Sequence, residues 1–398
     1  MSILIEVRPP TGEPDAGDPH VRFGGRGSHK LSLPLSHRNA RNRTMMVVMR
    51  VALCCSLLVL LAGCAPPPTP PDPQLWGSLK PGPYAVGFGL RWETDPSRTY
   101  GLEKDGTKKP RPIPMGVWYP ARPSPAEHMQ VADYFDMRSK QTQFDDLAVK
   151  LNVHIGSIVA QTMGSAAAMN RVLAMRTSAT FDAPPAKGQF PVVIYCSESS
   201  YQEDFVLFEY LASQGYVVLS TSYHSTDLSN VAAIDLGVRF QDMLFLHRFA
   251  ALLGNADASH LAAMGDGLGA QTVMVWALER DTPLDAVATL DYTERFWSGT
   301  GVLPPNLDDT VPTLQFASAP PAHSPQRKAP QFRAIEPGLQ HEDFVTTGIL
   351  REAARPHRNE YDHVCRVTLL FLDAYLKRSP SAKGELQQFR EGQAKTTP

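Results

Sequence analysis

The stretch whose spacing carries chemistry is Gly265-Asp266-Gly267-Leu268-Gly269, set between the apolar run 261–264 and a helical pattern that begins at Leu268. A buried strand, a tight glycine turn and a helix present the middle residue of G-x-S-x-G above a sheet, where a serine oxygen is exposed for attack on a carbonyl. Here that position is Gly267, which has no side chain. A residue with a Cβ in such a turn carries roughly 1–3 kcal/mol of backbone strain, whereas glycine carries none at positive φ. Other chemistries fit less well. GDGLGA lacks the Lys-Ser/Thr of a phosphate-cradling loop and the downstream acid of a dinucleotide fingerprint. His357 and His363 stand six apart in a polar segment, which is not a zinc spacing. No cofactor and no metal is expected.

The elements around the elbow alternate. PVVIYC is an almost wholly apolar run of the kind buried on both faces of a sheet. The helical pattern of YQEDFVLFEYLASQG follows, then a strand at 216–222, a helix at 236–253, the strand 261–264 and a helix at 268–279. Further strands are expected at 286–290, 311–317 and 331–335, and a helix at 360–377. Such alternation implies a mostly parallel α/β sheet covered by helices on both faces. Upstream, 84–91 and 113–119 read as an antiparallel pair at a sheet edge, separated by the charged segment 93–111. Residues 123–180 are helical in composition, and the tail 379–398 is polar and expected to fray. Cys196 and Cys365 either pair outside the cytoplasm or stand as two separated buried thiols.

Residues 45–63 resemble an export signal: Arg50, then an apolar core too short to span a bilayer. The stretch ends in Leu61-Ala62-Gly63-Cys64, similar to a bacterial lipobox, which implies cleavage before Cys64 and acyl chains on its sulfur. The Pro-rich run that follows makes 64–81 an extended tether. Residues 1–44 precede this signal without periodicity, as expected of an upstream misassigned start or a disordered extension. Removing residues 1–63 takes away 8 of 38 basic and 4 of 40 acidic side chains, leaving 30 against 36, a net charge of −6. That charge draws neither nucleic acid nor an anionic lipid surface. The lipid on Cys64 is therefore the expected membrane partner, in the cell envelope, with an outer-membrane location compatible with Ala65.

The region 82–378, above all FPVVIYC, EYLASQGYVVLSTSYHS, the elbow, LDYTERFW and PGLQHEDF, resembles the α/β-hydrolase superfamily. It is most similar to the branch of platelet-activating-factor acetylhydrolases and dienelactone hydrolases. The resemblance implies a helical cap at about 123–180. It also implies an acid at Asp291, 24 positions beyond Gly267, and a histidine at His341. Asp291 would orient the imidazole, and His341 would serve as general base and then acid.

Two positions depart from that family. Gly267 lacks the nucleophile, whose loss in triad enzymes costs roughly 10⁶ in kcat. Where the family has a His-Gly pair supplying an oxyanion donor, this chain has Ser197 and Glu198, followed by Ser199. A carboxylate opposes negative charge developing there. Leu268 would keep the other donor. Cys196, Ser197, Ser199, His224 and Ser225 are conceivable substitutes, each read first as loop polarity or packing. Asp266 is expected to point away from the pocket. Three functions are compatible with this pattern: binding of an apolar or acyl ligand without catalysis, ester or lactone hydrolysis through a displaced nucleophile or a dyad-activated water, or a structural envelope role.

Overall fold

A computed structural model describes residues 73–102, 106–224, 235–278, 282–291, 306–307, 310–319, 326–327, 329–351 and 355–396. The signal, Cys64 and the start of the tether lie outside these residues. So do Ser225 and residues 292–297 of the LDYTERFW segment.

The strands are β1 (Ala85–Leu102), β2 (Lys108–Ala121), β3 (Ala179–Phe181), β4 (Phe190–Cys196), β5 (Val217–Thr221), β6 (Ala256–Asp266), β7 (Ala286–Leu290), β8 (Asn306–Leu307), β9 (Thr313–Ala317), β10 (Gln326–Arg327) and β11 (Gln331–Ile335). Nine of them form one sheet in the order β11-β9-β7-β6-β4-β5-β2-β1-β3, while β8 and β10 pair with each other. From β5 to β11 every neighbouring pair is parallel. The β1–β2 and β2–β5 pairs are antiparallel. This is the α/β-hydrolase fold.

The centre of the sheet shows why PVVIYC reads as a buried strand. Val193 and Tyr195 of β4 face one core, with Ala262 and Met264 of β6. Val192, Ile194 and Cys196 face the other, with Leu261 and Ala263. Side chains alternate across a strand, so a strand covered on both faces must be apolar at every position. The first core is covered by α5 (Phe205–Ser213) and α9 (Arg358–Tyr375), and the second by α6 (Leu236–Ala250) and α7 (Gly267–Trp276).

The helical insertion contains α2 (Val131–Tyr134), α3 (Asp145–Met163) and α4 (Ala166–Leu173). Helix α3 buries Leu147, Leu151, Ile155 and Val159, a stripe of fourth residues that lies along one helical face. The insertion ends differently from expectation, because β3 joins the sheet parallel to β1 and becomes its edge. The remaining short helices are α1 (Pro73–Trp76) and α8 (Thr346–Ile349), and α10 (Pro380–Thr396) ends the chain.

Three expectations need correction. The charged segment 93–111 is mostly strand, because β1 and β2 continue as a two-stranded ribbon. There Arg111, 1 % exposed, pairs with Asp242 of α6 through Nε at 2.8 Å and Nη2 at 2.7 Å. The expected tether does not run free to residue 81. Leu75, Trp76 and Leu79 are buried, Trp76 Nε1 donates to Glu209 at 3.1 Å, and Ser78 donates to Asp362 through N–H at 2.6 Å and Oγ at 2.7 Å. Glu209 itself is wholly buried and also accepts from the Tyr134 hydroxyl at 2.7 Å and the Ser178 N–H at 2.9 Å. Finally, the tail does not simply fray, since α10 buries Ala382 and Leu386 and packs Phe389 against the core.

Candidate active site

The parallel strands β4, β6, β7 and β11 release their chains at one edge, the carboxyl end of the sheet, where ligands bind in open α/β folds. Four loops meet there. Strand β6 runs into Gly267 with no spacer, and α7 starts at that residue. The backbone at Gly267 has φ +47°, in the left-handed region that a side chain resists. Gly269 is required for another reason. A Cβ there would lie 1.7 Å from the carbonyl oxygen of Cys196, so the end of β4 packs directly on the elbow helix.

Asp291, the first residue after β7, is almost wholly buried and holds φ +46°, a strain of the kind that clusters at functional sites. His341 opens a short 3-10 turn, 341–344, after β11. Gln340 N–H donates to Asp343 at 2.9 Å, and Arg351 pairs with Asp343 at 2.5 Å. These bonds fix the turn and hence the ring. His341 Nδ1 lies 2.7 Å from Asp291 Oδ2. The acid and histidine implied by the resemblance are in direct contact, 50 residues apart in sequence.

The third member is Glu198. Its Oε2 lies 2.8 Å from His341 Nε2 and 2.0 Å from where a Cβ on Gly267 would stand. The carboxylate therefore fills the space that a side chain at the elbow would need, and it is bonded to Nε2 of the histidine. The backbone of Glu198 is fixed from both sides. Its N–H donates to Asp266 Oδ1 at 3.1 Å and Oδ2 at 3.2 Å. Its carbonyl accepts from Arg239, which also donates to the Ser197 carbonyl at 2.8 Å. Arg239, on α6, lies over the Tyr223 ring at 3.9 Å. Arg239 and the anchoring role of Asp266 carry no sequence signal, because their partners are backbone atoms of a loop far away in the chain.

Hydrogen bonds to Asp291 and then to Glu198 raise the His341 pKa to about 11. The ring is an imidazolium through neutral pH, with each N–H aimed at a carboxylate. An imidazolium has no lone pair with which to act as general base. Asp266 is pushed up by burial and then by the charge of Glu198. The Glu198 N–H, committed to Asp266, is not free to stabilise an oxyanion.

Among the described residues the other candidates are bonded or buried elsewhere, without a hydrogen bond to the histidine. Ser197 Oγ lies 3.5 Å from Asp204 Oδ2. Cys196 and Cys365 are free, buried thiols, pushed up by burial to about 11 and about 12. His224 is buried, with Nε2 3.0 Å from the carbonyl of Pro112. Ser199 makes no hydrogen bond to His341, and Leu268 takes its place in the first turn of α7. Asp266 points to the loop after β4. Among the described residues no cluster suited to a metal ion is present.

No family model matches the sequence, and no curated protein matches it either. Among solved structures the chain is similar to a ferulic acid esterase from Streptomyces cinnamoneus, with a TM-score of 0.53 and 18 % identity over 75 % of this chain and 92 % of that one. At that identity the likeness establishes the hydrolase fold.

Proposed function

We propose that this chain is a lipid-anchored envelope protein whose hydrolase fold has lost serine-type acyl transfer and whose strand-end centre binds an apolar or acyl ligand. The observation that carries this reading is the position of Glu198, whose Oε2 occupies the place of the elbow side chain and accepts from His341. The lost nucleophile, the filled space and the committed oxyanion donor all act against attack on a carbonyl. The acyl character of the ligand and the branch near platelet-activating-factor acetylhydrolases and dienelactone hydrolases rest on the sequence resemblance. Anchoring rests on Cys64 within Leu-Ala-Gly-Cys, and incorporation of labelled palmitate that disappears in Cys64→Ser is the expected result.

The central test is hydrolysis of p-nitrophenyl butyrate by wild type, Gly267→Ser, Glu198→Ala and the double variant. Wild type and both single variants stay inactive. The double variant gains turnover, because only there does a hydroxyl reach an unoccupied His341. Wild-type turnover at ordinary esterase rates that is lost in His341→Ala would overturn the reading. Ligand binding is checked by mass spectrometry of acyl compounds that co-purify with the protein.

A second reading, hydrolysis through a displaced nucleophile, is favoured by one observation. Two carboxylates are bonded to His341, and Glu198 on Nε2 is partly exposed whereas Asp291 on Nδ1 is buried, so it is Glu198 that would attack.

A further inference from the structure

We infer that the cavity beside the first turn of α6 binds a small organic carboxylate, at a site apart from the Glu198–His341 centre. The cavity measures about 380 Å³, the size of a small-molecule site, and none of its lining residues belongs to that centre. Two guanidinium groups line it, those of Arg98 and Arg111, and both belong to one buried ion cluster. Arg111 gives Nε and Nη2 to Asp242 at 2.8 and 2.7 Å, and Nη2 also donates to the His224 carbonyl at 2.8 Å. Arg98 pairs with Asp95 and Asp242, each at 2.7 Å. The planar fork of Arg111 leaves Nη1 on the edge turned away from Asp242. Arg111 is 1 % exposed, and its Nη1 has no hydrogen-bond partner among the described residues. A buried charged donor left unpaired forfeits its hydration without return. An acceptor in the cavity supplies the missing bond.

Charge points the same way. Arg98, Arg111 and Arg248, the last 3.7 Å from Asp95, face two carboxylates, Asp95 and Asp242. Three cations against two anions leave one positive charge in excess. His224 adds none, because burial, and then Arg111 and Arg98, hold its pKa well below the ordinary value. Helix α6 contributes the partial positive charge of its N-terminus. There Asp235 Oδ1 accepts from the Val238 N–H at 3.1 Å. Gly237 lines the cavity, and a Cβ on it would meet only Asp235 Oδ1, at 3.2 Å, so an anion can approach the backbone. Asp235 also lines the cavity, and its charge opposes an anion, but it is exposed and screened by water. One surplus charge, opposed by Asp235, suits a monoanion and not a dianionic phosphate. Val238 and Phe240 give the wall an apolar part, and Thr99 and Gln241 a polar part. That lining suits a carboxylate carried on an apolar body.

The test is isothermal titration of the full-length protein with benzoate, with its neutral isostere benzamide and with inorganic phosphate. Benzoate binds about tenfold or more tightly than either, as a charge-assisted bond requires. Asp235→Asn keeps a capping side chain and removes the opposing charge, so benzoate binds more tightly, by about threefold or more. Gln241→Glu, at an exposed position of the lining, weakens benzoate by a similar factor. Arg98→Gln abolishes the preference for benzoate over benzamide. If loss of Arg98 unsettles the fold, the Asp235 and Gln241 variants decide the matter without it. Absence of benzoate binding, or benzamide binding equally well, overturns the inference. So does a benzoate affinity that neither Asp235→Asn nor Gln241→Glu moves, which would put the anion at another place such as His341. Phosphate binding more tightly than benzoate overturns the assignment to a carboxylate. None of these readouts depends on the ester assays above.

Discussion

Glu209 and Glu198 are both carboxylates tied to partners distant in sequence, but their surroundings differ in kind. Glu209 lies wholly inside the core and accepts from three neutral donors, the Trp76 indole, the Tyr134 hydroxyl and the Ser178 amide. Glu198 stands at the strand ends, partly exposed, against an imidazolium. Burial without a cation raises the pKa of Glu209 to about 7, so its role is to organise packing. Glu198 instead adds to Asp291 in raising the pKa of His341, so its role is to set a protonation state. The comparison teaches that a carboxylate's work is read from what donates to it and from how much water reaches it.

The strongest way to break this contrast is Glu209→Ala. Three buried donors lose their acceptor, and at about 1–3 kcal/mol for each unsatisfied group the expected loss is about 4 kcal/mol, read as a drop in urea midpoint. A loss comparable to that of Glu198→Ala would erase the distinction. The pH dependence of stability sharpens it. Glu209 has its folded pKa at about 7 against an ordinary value of 4.5. Between those values the folded state binds the extra proton, so stability falls as pH rises from 4.5 to 7. The fall attributable to this group is roughly 3 kcal/mol. Denaturant titrations at several pH values should show that slope in wild type and a flatter one in Glu209→Gln.

Gly267→Ala probes the other region. The left-handed backbone and the overlap with Glu198 Oε2 together cost about 2 kcal/mol. Adding Glu198→Ala should recover part of that loss, and additive effects would show that the two groups do not collide. The smallest change in stability, under about 1 kcal/mol, is expected for Glu198→Gln. Its signature is chemical: NMR titration of His341 moves to lower pH. The sign follows from the raised histidine pKa. Its contribution to stability is complete below about 6.5 and is lost as pH rises toward about 11, and in Glu198→Gln the window closes earlier.

Much of the fold was legible because it depends on local periodicity. The expected strands at 286–290 and 331–335 coincide with β7 and β11, and the elbow glycines mark the turn. The sequence marks Glu198 as an acid on the loop after β4, where a backbone donor is expected. Its reach into the space above Gly267 was not legible, since it depends on how four loops converge. The ribbon of β1 and β2 was obscured by its charges, whose buried partner Asp242 lies 131 residues beyond Arg111. Helix α1 spans four residues, too few for a period to show. Its role comes from Glu209 and from Asp362, 284 residues beyond Ser78.

The overlap of Glu198 with the side-chain position at Gly267 also couples the two residues. A serine placed at the elbow by a single substitution would drive its Cβ into Glu198 Oε2 and find the histidine already engaged. Removing Glu198 first would leave a free histidine and nothing for it to activate. Neither single change brings a hydroxyl to a free histidine, so the two positions are coupled. The pair works as a two-part lock: both positions must change together before serine chemistry could open at this elbow.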